Sequence, residues 1–313
     1  MSEPLWDRVT VVGCGLIGAS FALALRRAGA CRSVAGWDTD PAALDEAVRL
    51  GAVDEADDAF AAGRLSRADL VYLAAPVGQI VELLRARAHH FKPGAVVTDA
   101  GSTKAEVCRA ALPQAQRGWR FVGGHPVAGS HLCGAAHARA DLFEGAPYVL
   151  AEAEEGGDAE ALAALAATLK LVGARVRVMP AAEHDRALAL LSHLPQLVSC
   201  ALASAVEGRP DADSLAGLAG AGYRDMTRLA ASSWGVWRDI LATNSTEVAD
   251  ALDHLVTKLA AVRDELRAHP PQRAGGGELA EARALFRPAR AGSETAREVF
   301  NTESLQHGKF RKP

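Results

Sequence analysis

The stretch RVTVVGCGLIG, residues 8–18, decides the fold. Its first half is a short run rich in β-branched residues, the composition of a strand buried on both faces. Its second half, Gly13-Cys14-Gly15-Leu16-Ile17-Gly18, is a G-x-G-x-x-G run that opens an Ala- and Leu-rich helical pattern over residues 17–28. An acidic residue, Asp38, stands 20 positions beyond Gly18, at the end of a second β-rich run, SVAGW at 33–37. Strand, glycine turn, helix and acidic strand end in this order form the fingerprint of a dinucleotide-binding βαβ unit. Gly13 permits the tight turn, Gly15 lets backbone approach a pyrophosphate, and Gly18 lets the helix pack on the strand. The helix N-terminus then offers free N–H groups to phosphate. Asp38 is expected to accept hydrogen bonds from the adenosine ribose and to repel a 2′-phosphate, which favours NAD over NADP. Asp40 competes for that role, but Pro41 behind it marks it as the cap of the next helix.

The alternation continues along the chain. LVYLAA at 70–75 and VVTD at 96–99 read as further strands, and shorter ones are expected at 121–124, 148–151 and 174–178. Helices are expected at 41–50, 79–88 and 104–112. The fold class is therefore α/β: an N-terminal Rossmann-type parallel sheet domain with ligands at the carboxyl ends of its strands. From Ala181 the pattern turns all-helical, with breaks expected at Pro195, 208–210 and 217–222. Apolar residues at Val248, Leu252, Leu255, Val256, Leu259 and Val262 show helical spacing over 247–269. The expected division is 1–180 for nucleotide binding, 181–270 for the helical domain and 271–313 for a polar tail.

Composition narrows the partners. The chain has 313 residues and a net charge of −4, without the concentrated basic face that nucleic acid demands. No apolar run approaches the roughly 20 residues of a membrane helix, so no membrane partner is expected. Five cysteines, odd in number and scattered, fit reduced thiols in the cytoplasm. His125, His131, Cys133 and His137 lack zinc-site spacing, and no metal is expected. Alanine supplies 66 residues, concentrated in the helices, which allows close helix packing.

Two glycine-rich polar loops follow predicted strands: TDAGSTK at 98–104 and GGHPVAGS at 123–130. His125, between Gly and Pro in the second, is placed for general acid–base work near neutral pH. Together with GCGLIGAS (13–20), LFEGAPYVL (142–150), SHLPQ (192–196) and GYRDMTRLA (222–230), these motifs resemble the prephenate/arogenate (cyclohexadienyl) dehydrogenases of tyrosine biosynthesis. The resemblance runs in order from about residue 8 to 265.

That resemblance implies an NAD-dependent oxidative decarboxylation in which a cyclohexadienol ring aromatises. His125 matches the catalytic histidine, and Ser102 a serine bonding that histidine or the substrate. Arg228 matches the arginine that holds a substrate carboxylate, with Arg224 as its rival. Ser130, His193 and Gln196 are the further substrate contacts. Leu16, Ile17, Ala75 and Pro76 join Gly13, Gly15, Gly18 and Asp38 around the cofactor. A homodimer through the helical domain is implied as well. Two positions depart from the pattern: Gln196 stands where the family commonly has histidine, and His131 where it has an acidic residue. A neutral amide at 196 would tolerate an amino acid side chain, so arogenate, alone or with prephenate, is the expected substrate. Two other readings remain: a Rossmann-plus-helical dehydrogenase of the β-hydroxyacid or imine-reductase type, and a non-catalytic NAD-binding regulator.

Overall fold

A computed structural model describes residues 3–56, 64–115, 118–128, 133–152, 158–268 and 279–285. Ser130, His131 and nearly all of the tail at 271–313 lie outside the described residues. The chain forms two compact units, Met1–Ala251 and Leu252–Pro313.

The first unit opens with β1 (Trp6–Val12), α1 (Leu16–Arg27), β2 (Cys31–Trp37), α2 (Pro41–Arg49) and β3 (Glu55–Ala56). It continues through β4 (Leu70–Leu73), α3 (Val77–Arg87), β5 (Val96–Asp99), α4 (Ala105–Ala115) and β6 (Arg120–Pro126). Then come β7 (Pro147–Glu152), α5 (Ala159–Leu171) and β8 (Arg175–Pro180). The sheet order is β3-β2-β1-β4-β5-β6-β7-β8. Strands β1 to β6 are parallel, β7 runs antiparallel to β6, and β8 is parallel to β7. The first six strands thus have the doubly wound order, with β1 and β4 flanking the switch point where a dinucleotide sits. One layer of the core packs α1 and α5 on the sheet around Phe21, which stacks on Tyr72 at 3.9 Å. The opposite layer gathers Val71, Leu73, Ile80, Leu84, Val97, Val107 and Trp119.

The helical part begins directly at β8, with α6 (Ala181–Leu188), a π-helical turn (Ala189–His193) and α7 (Leu194–Glu207). Next are α8 (Ala212–Ala216), α9 (Ala221–Thr227), a 3₁₀ turn (Arg228–Ala231) and α10 (Trp234–Thr243). The last are α11 (Ser245–Ala268) and α12 (Ala280–Leu285).

The break expected at Pro195 does not occur. The chain stays helical from Ala181 to Glu207, and Pro195 lies in the first turn of α7. A proline inside a regular helix clashes with the carbonyl four residues earlier; here the wider π turn ends two residues before it and relieves that contact. As one piece, Ala181–Glu207 is long and apolar enough to cross a membrane by length and composition, contrary to the expectation from apolar runs. Its polar side chains His184, Asp185, His193 and Gln196 are nonetheless buried in the first unit.

Candidate active site

The glycine turn after β1 has the geometry that a dinucleotide requires. Gly13 sits at φ +96°, and a Cβ there would lie 2.5 Å from the Ala74 carbonyl oxygen at the end of β4. Gly18 faces back onto the turn, where a Cβ would stand 1.9 Å from the Gly13 oxygen. Gly15 faces open space, and as the N-cap of α1 it leaves that helix without a side-chain cap or an acid in its first turn. An uncapped helix N-terminus beside open space suits a pyrophosphate. Leu16 and Ile17 form the first turn of α1, and Pro76 is the N-cap of α3, with Ala75 before it. Asp38 accepts hydrogen bonds from the backbone N–H of Cys14 (2.7 Å) and of Asp40 (2.9 Å). It is thereby held against the glycine turn, and each carboxylate oxygen keeps a lone pair for a ribose hydroxyl. Asp40 caps α2 through Ala42 N–H, as its position before Pro41 implied. The Cys14 thiol, pushed up to about 12 by burial and by Asp38, stays neutral beside this site.

His125 is not in a loop, as expected from its Gly and Pro neighbours. It belongs to β6, pairs with Val149 of β7 and is only 8% exposed. The flanking glycines allow close strand approach rather than looping: a Cβ on Gly124 would meet the Asp99 carbonyl oxygen at 2.4 Å. Behind His125 lies a second buried histidine. His125 Nδ1 is 2.8 Å from His184 Nε2, and His184 Nδ1 is 2.8 Å from Asp185 Oδ1. A carboxylate only accepts, so His184 carries its proton on Nδ1 and presents a lone pair at Nε2. His125 must then donate from Nδ1, which leaves its Nε2 as the basic nitrogen, without a partner among the described residues. Burial, followed by His184, Lys104 and His193, holds the His125 pKa well below the ordinary 6.5. The ring is therefore neutral at physiological pH and ready to take a proton.

Asp185 has a second task. Its two oxygens accept the backbone N–H groups of Lys104 (2.7 Å) and Ala105 (2.8 Å), which anchors the start of α4. The same loop is tied at Thr103, whose hydroxyl bonds that of Thr243 at 2.7 Å. Lys104, 0% exposed, forms a buried ion pair with Asp99 and donates to the Gly124 carbonyl at 2.7 Å. Asp99 also accepts the N–H groups of Gly101 (2.8 Å) and Gly124 (3.0 Å). Ser102 lies half-buried inside this braced loop, and its hydroxyl has no hydrogen-bond partner among the described residues. Lys104 thus binds the two strand ends to each other.

The expected substrate residues come from the helical part. His193 closes the π turn, buried, with Trp237 edge-on at 5.9 Å. Gln196 is buried too, and its amide donates to the Leu229 carbonyl (2.8 Å) while its oxygen faces the Ser232 hydroxyl (3.4 Å). It thus joins α7 to the 3₁₀ turn that carries Arg228. Arg228 is exposed and has no partner among the described residues, whereas Arg224 spends its guanidinium on the Ala219 carbonyl at 2.9 Å. Among the described residues no group of His, Cys, Asp and Glu could hold a metal ion.

A doubly wound sheet with an open glycine turn, a held acidic strand end and a buried, relay-backed histidine defines a dinucleotide-dependent dehydrogenase. Comparison with known proteins narrows this. Residues 21–178 match the family domain described as "Prephenate dehydrogenase, nucleotide-binding domain", and residues 180–275 match "Prephenate dehydrogenase, dimerization domain". The prephenate dehydrogenase of Bacillus subtilis (strain 168) is 35% identical over 262 residues, covering 82% of this chain and 69% of its own length. Synechocystis arogenate dehydrogenase superposes with a TM-score of 0.70 at 34% identity, over 83% of this chain and 92% of that one. Prephenate dehydrogenase from A. aeolicus, solved with hydroxyphenyl propionate and NAD+, gives 0.78 at 29% identity, over 96% of each chain. The chain belongs to the prephenate dehydrogenase family.

Proposed function

We propose that this chain catalyses the NAD-dependent oxidative decarboxylation of arogenate and prephenate, giving tyrosine and 4-hydroxyphenylpyruvate. The observation that carries the reading is the Asp185–His184–His125 chain, which leaves an unprotonated imidazole nitrogen at the end of β6. NAD, when bound, supplies the hydride acceptor for the carbon that bears the 4-hydroxyl. Gly13, Gly15 and Gly18 admit its pyrophosphate, and Asp38 holds its ribose. As the C–H bond breaks, His125 Nε2 takes the hydroxyl proton and a carbonyl forms. The ring carboxylate leaves as CO2, its bonding electrons enter the ring, and the phenolate takes back the proton from His125. The positive charge held meanwhile on His125 is stabilised through neutral His184 by the Asp185 carboxylate.

Ser102, in its braced loop, orients His125 or the substrate, and Arg228 binds the ring carboxylate with its planar fork. Ser130 and His193 contribute the remaining substrate contacts, and Gln196, whose amide is bonded to Leu229 and Cys200, serves the substrate by fixing the turn that carries Arg228. The presence of both prephenate and arogenate dehydrogenases among the relatives supports use of either substrate. A homodimer through residues 181–270 is part of the proposal, supported by the matched dimerisation domain and by exposed Leu190, Leu191, Leu218 and Trp234. A cytoplasmic setting is supported by five free cysteines.

The test follows NADH and CO2 release from each substrate. His125→Asn is expected to lower kcat by about 10²–10⁴-fold with NAD binding retained; retention of most activity overturns the assignment. A kcat/KM for prephenate at least tenfold above that for arogenate overturns the arogenate reading.

A further inference from the structure

Asn244, the residue between α10 and α11, is buried, and no motif marks it in the sequence. Its side-chain nitrogen lies 2.8 Å from the backbone carbonyl oxygen of Asp185 and 3.2 Å from His193 Nδ1. The first contact settles the orientation of the amide, because a carbonyl oxygen accepts only from the NH2 end. The second hydrogen of the same NH2 then points at His193, so His193 Nδ1 is an acceptor and carries no proton. In a neutral imidazole the proton must be on the other nitrogen, Nε2.

We propose that Asn244 is a positioning residue: it fixes His193 in the Nε2–H tautomer, so that the ring offers the substrate a hydrogen-bond donor beside the His125 base. Three features of the fold make this more than a packing contact. His193 Nε2 has no partner among the described residues, so its donor is unspent. Trp237 packs edge-on against the ring at 5.9 Å and limits its rotation. The carbonyl that orients Asn244 belongs to Asp185, the residue that also anchors the His184–His125 relay, so both histidines take their tautomers from one segment of α6. Burial lowers the His193 pKa from the ordinary 6.5 to about 4, which keeps the ring neutral, the state in which a tautomer has meaning.

The two histidines therefore present opposite faces of the same chemistry. His125 Nε2 is a lone pair and His193 Nε2 is an N–H. A substrate whose hydroxyl gives up a proton to the first and whose oxygen accepts from the second is held in one orientation. This role rests on the dehydrogenase reading above; the tautomer itself does not.

The experiment has two arms. Long-range proton–nitrogen NMR on the ¹⁵N-histidine-labelled wild-type protein reads the tautomer directly, with or without activity. The expected result is a protonated, pyrrole-like Nε2 and a pyridine-like Nδ1 for His193; the reverse pattern overturns the proposal. The second arm is a double-mutant cycle with Asn244→Ala and His193→Asn, whose amide needs no tautomer partner. Asn244→Ala alone is expected to raise KM about tenfold, the worth of one hydrogen bond, with a smaller change in kcat. In the His193→Asn background the same change is expected to leave KM within about twofold, since the coupled term is absent. Equal effects in both backgrounds would mean that Asn244 only packs. If the tautomer is confirmed while no substrate turns over in the wild type, the dehydrogenase reading fails and the assignment of Asn244 stands.

Discussion

Asp185 carries more of the site than any other single side chain, because one carboxylate both orients His184 and holds the start of α4. Asp185→Asn is expected to keep much of the helix contact but to lose the purely accepting partner of His184, so the His125 tautomer is no longer dictated. A fall in kcat on the order of 10²–10⁴-fold with KM little changed is expected, as for an interaction made only in the transition state. A change confined to KM in steady-state kinetics would place Asp185 in binding instead. The depressed pKa of His125 sets the sign of the pH response: kcat/KM rises with pH as the ring loses its proton and levels off below 6.5. An acid limb centred above 6.5 would identify a different base. His193 adds a stability term of the same sign. Its neutral form is favoured by folding, so its contribution is complete above 6.5 and drains away as pH falls toward about 4. Thermal melts across that window are expected to lose less stability in His193→Asn than in the wild type. Among these residues, the glycines and Asp38 were legible in the sequence because their partners are a few positions away or one strand over. His184, Asp185 and Asn244 were not, because each owes its role to a neighbour that only the folded chain supplies.

At the scale of elements, β5 and β6 are joined by their backbone ladder and by the Lys104–Asp99 pair, both members of which bond Gly124 of β6. Lys104→Met leaves a buried carboxylate facing no cation, which costs about 3–5 kcal/mol. Denaturant unfolding is expected to show that loss, and a change under 1 kcal/mol would mean that Asp99 is satisfied by its two backbone donors alone. Most strands and helices could be read from alternation and helical spacing to within a few residues. β3 escaped because Glu55–Ala56 is two exposed residues without an apolar signal. The π turn escaped for the opposite reason. Pro195 gave a strong local cue for a break, and the burial of His193 and Gln196 on a continuous helix outweighed it.

For the whole molecule, the uneven distribution of apolar surface is the main consequence. Leu191 is 78% exposed and Trp234 67% exposed in the single chain, on the same helical part that matches a dimerisation domain. Patches of this kind mark interfaces. Leu191→Asp is expected to turn the proposed dimer into monomers in light scattering while circular dichroism stays unchanged. A dimer that survives the substitution would direct attention to another face. Alanine-rich composition pointed to close helix packing, but the location of the uncovered face depends on which side of Ala181–Glu207 turns inward, and composition is silent on that.

The long-range ties of the active-site loops also bear on the order in which the protein assembles. Thr103 and Thr243 are 140 residues apart, and Gly78 and Asp239, bonded at 3.3 Å, are 161 apart. The glycine turn and Asp38, in contrast, close a loop of 24 residues. Short loops close with less entropy lost and sooner than long ones. A refolding or newly synthesised chain is therefore expected to gain the cofactor cradle early and the catalytic assembly late, with the capacity to bind nucleotide preceding the capacity to turn over substrate.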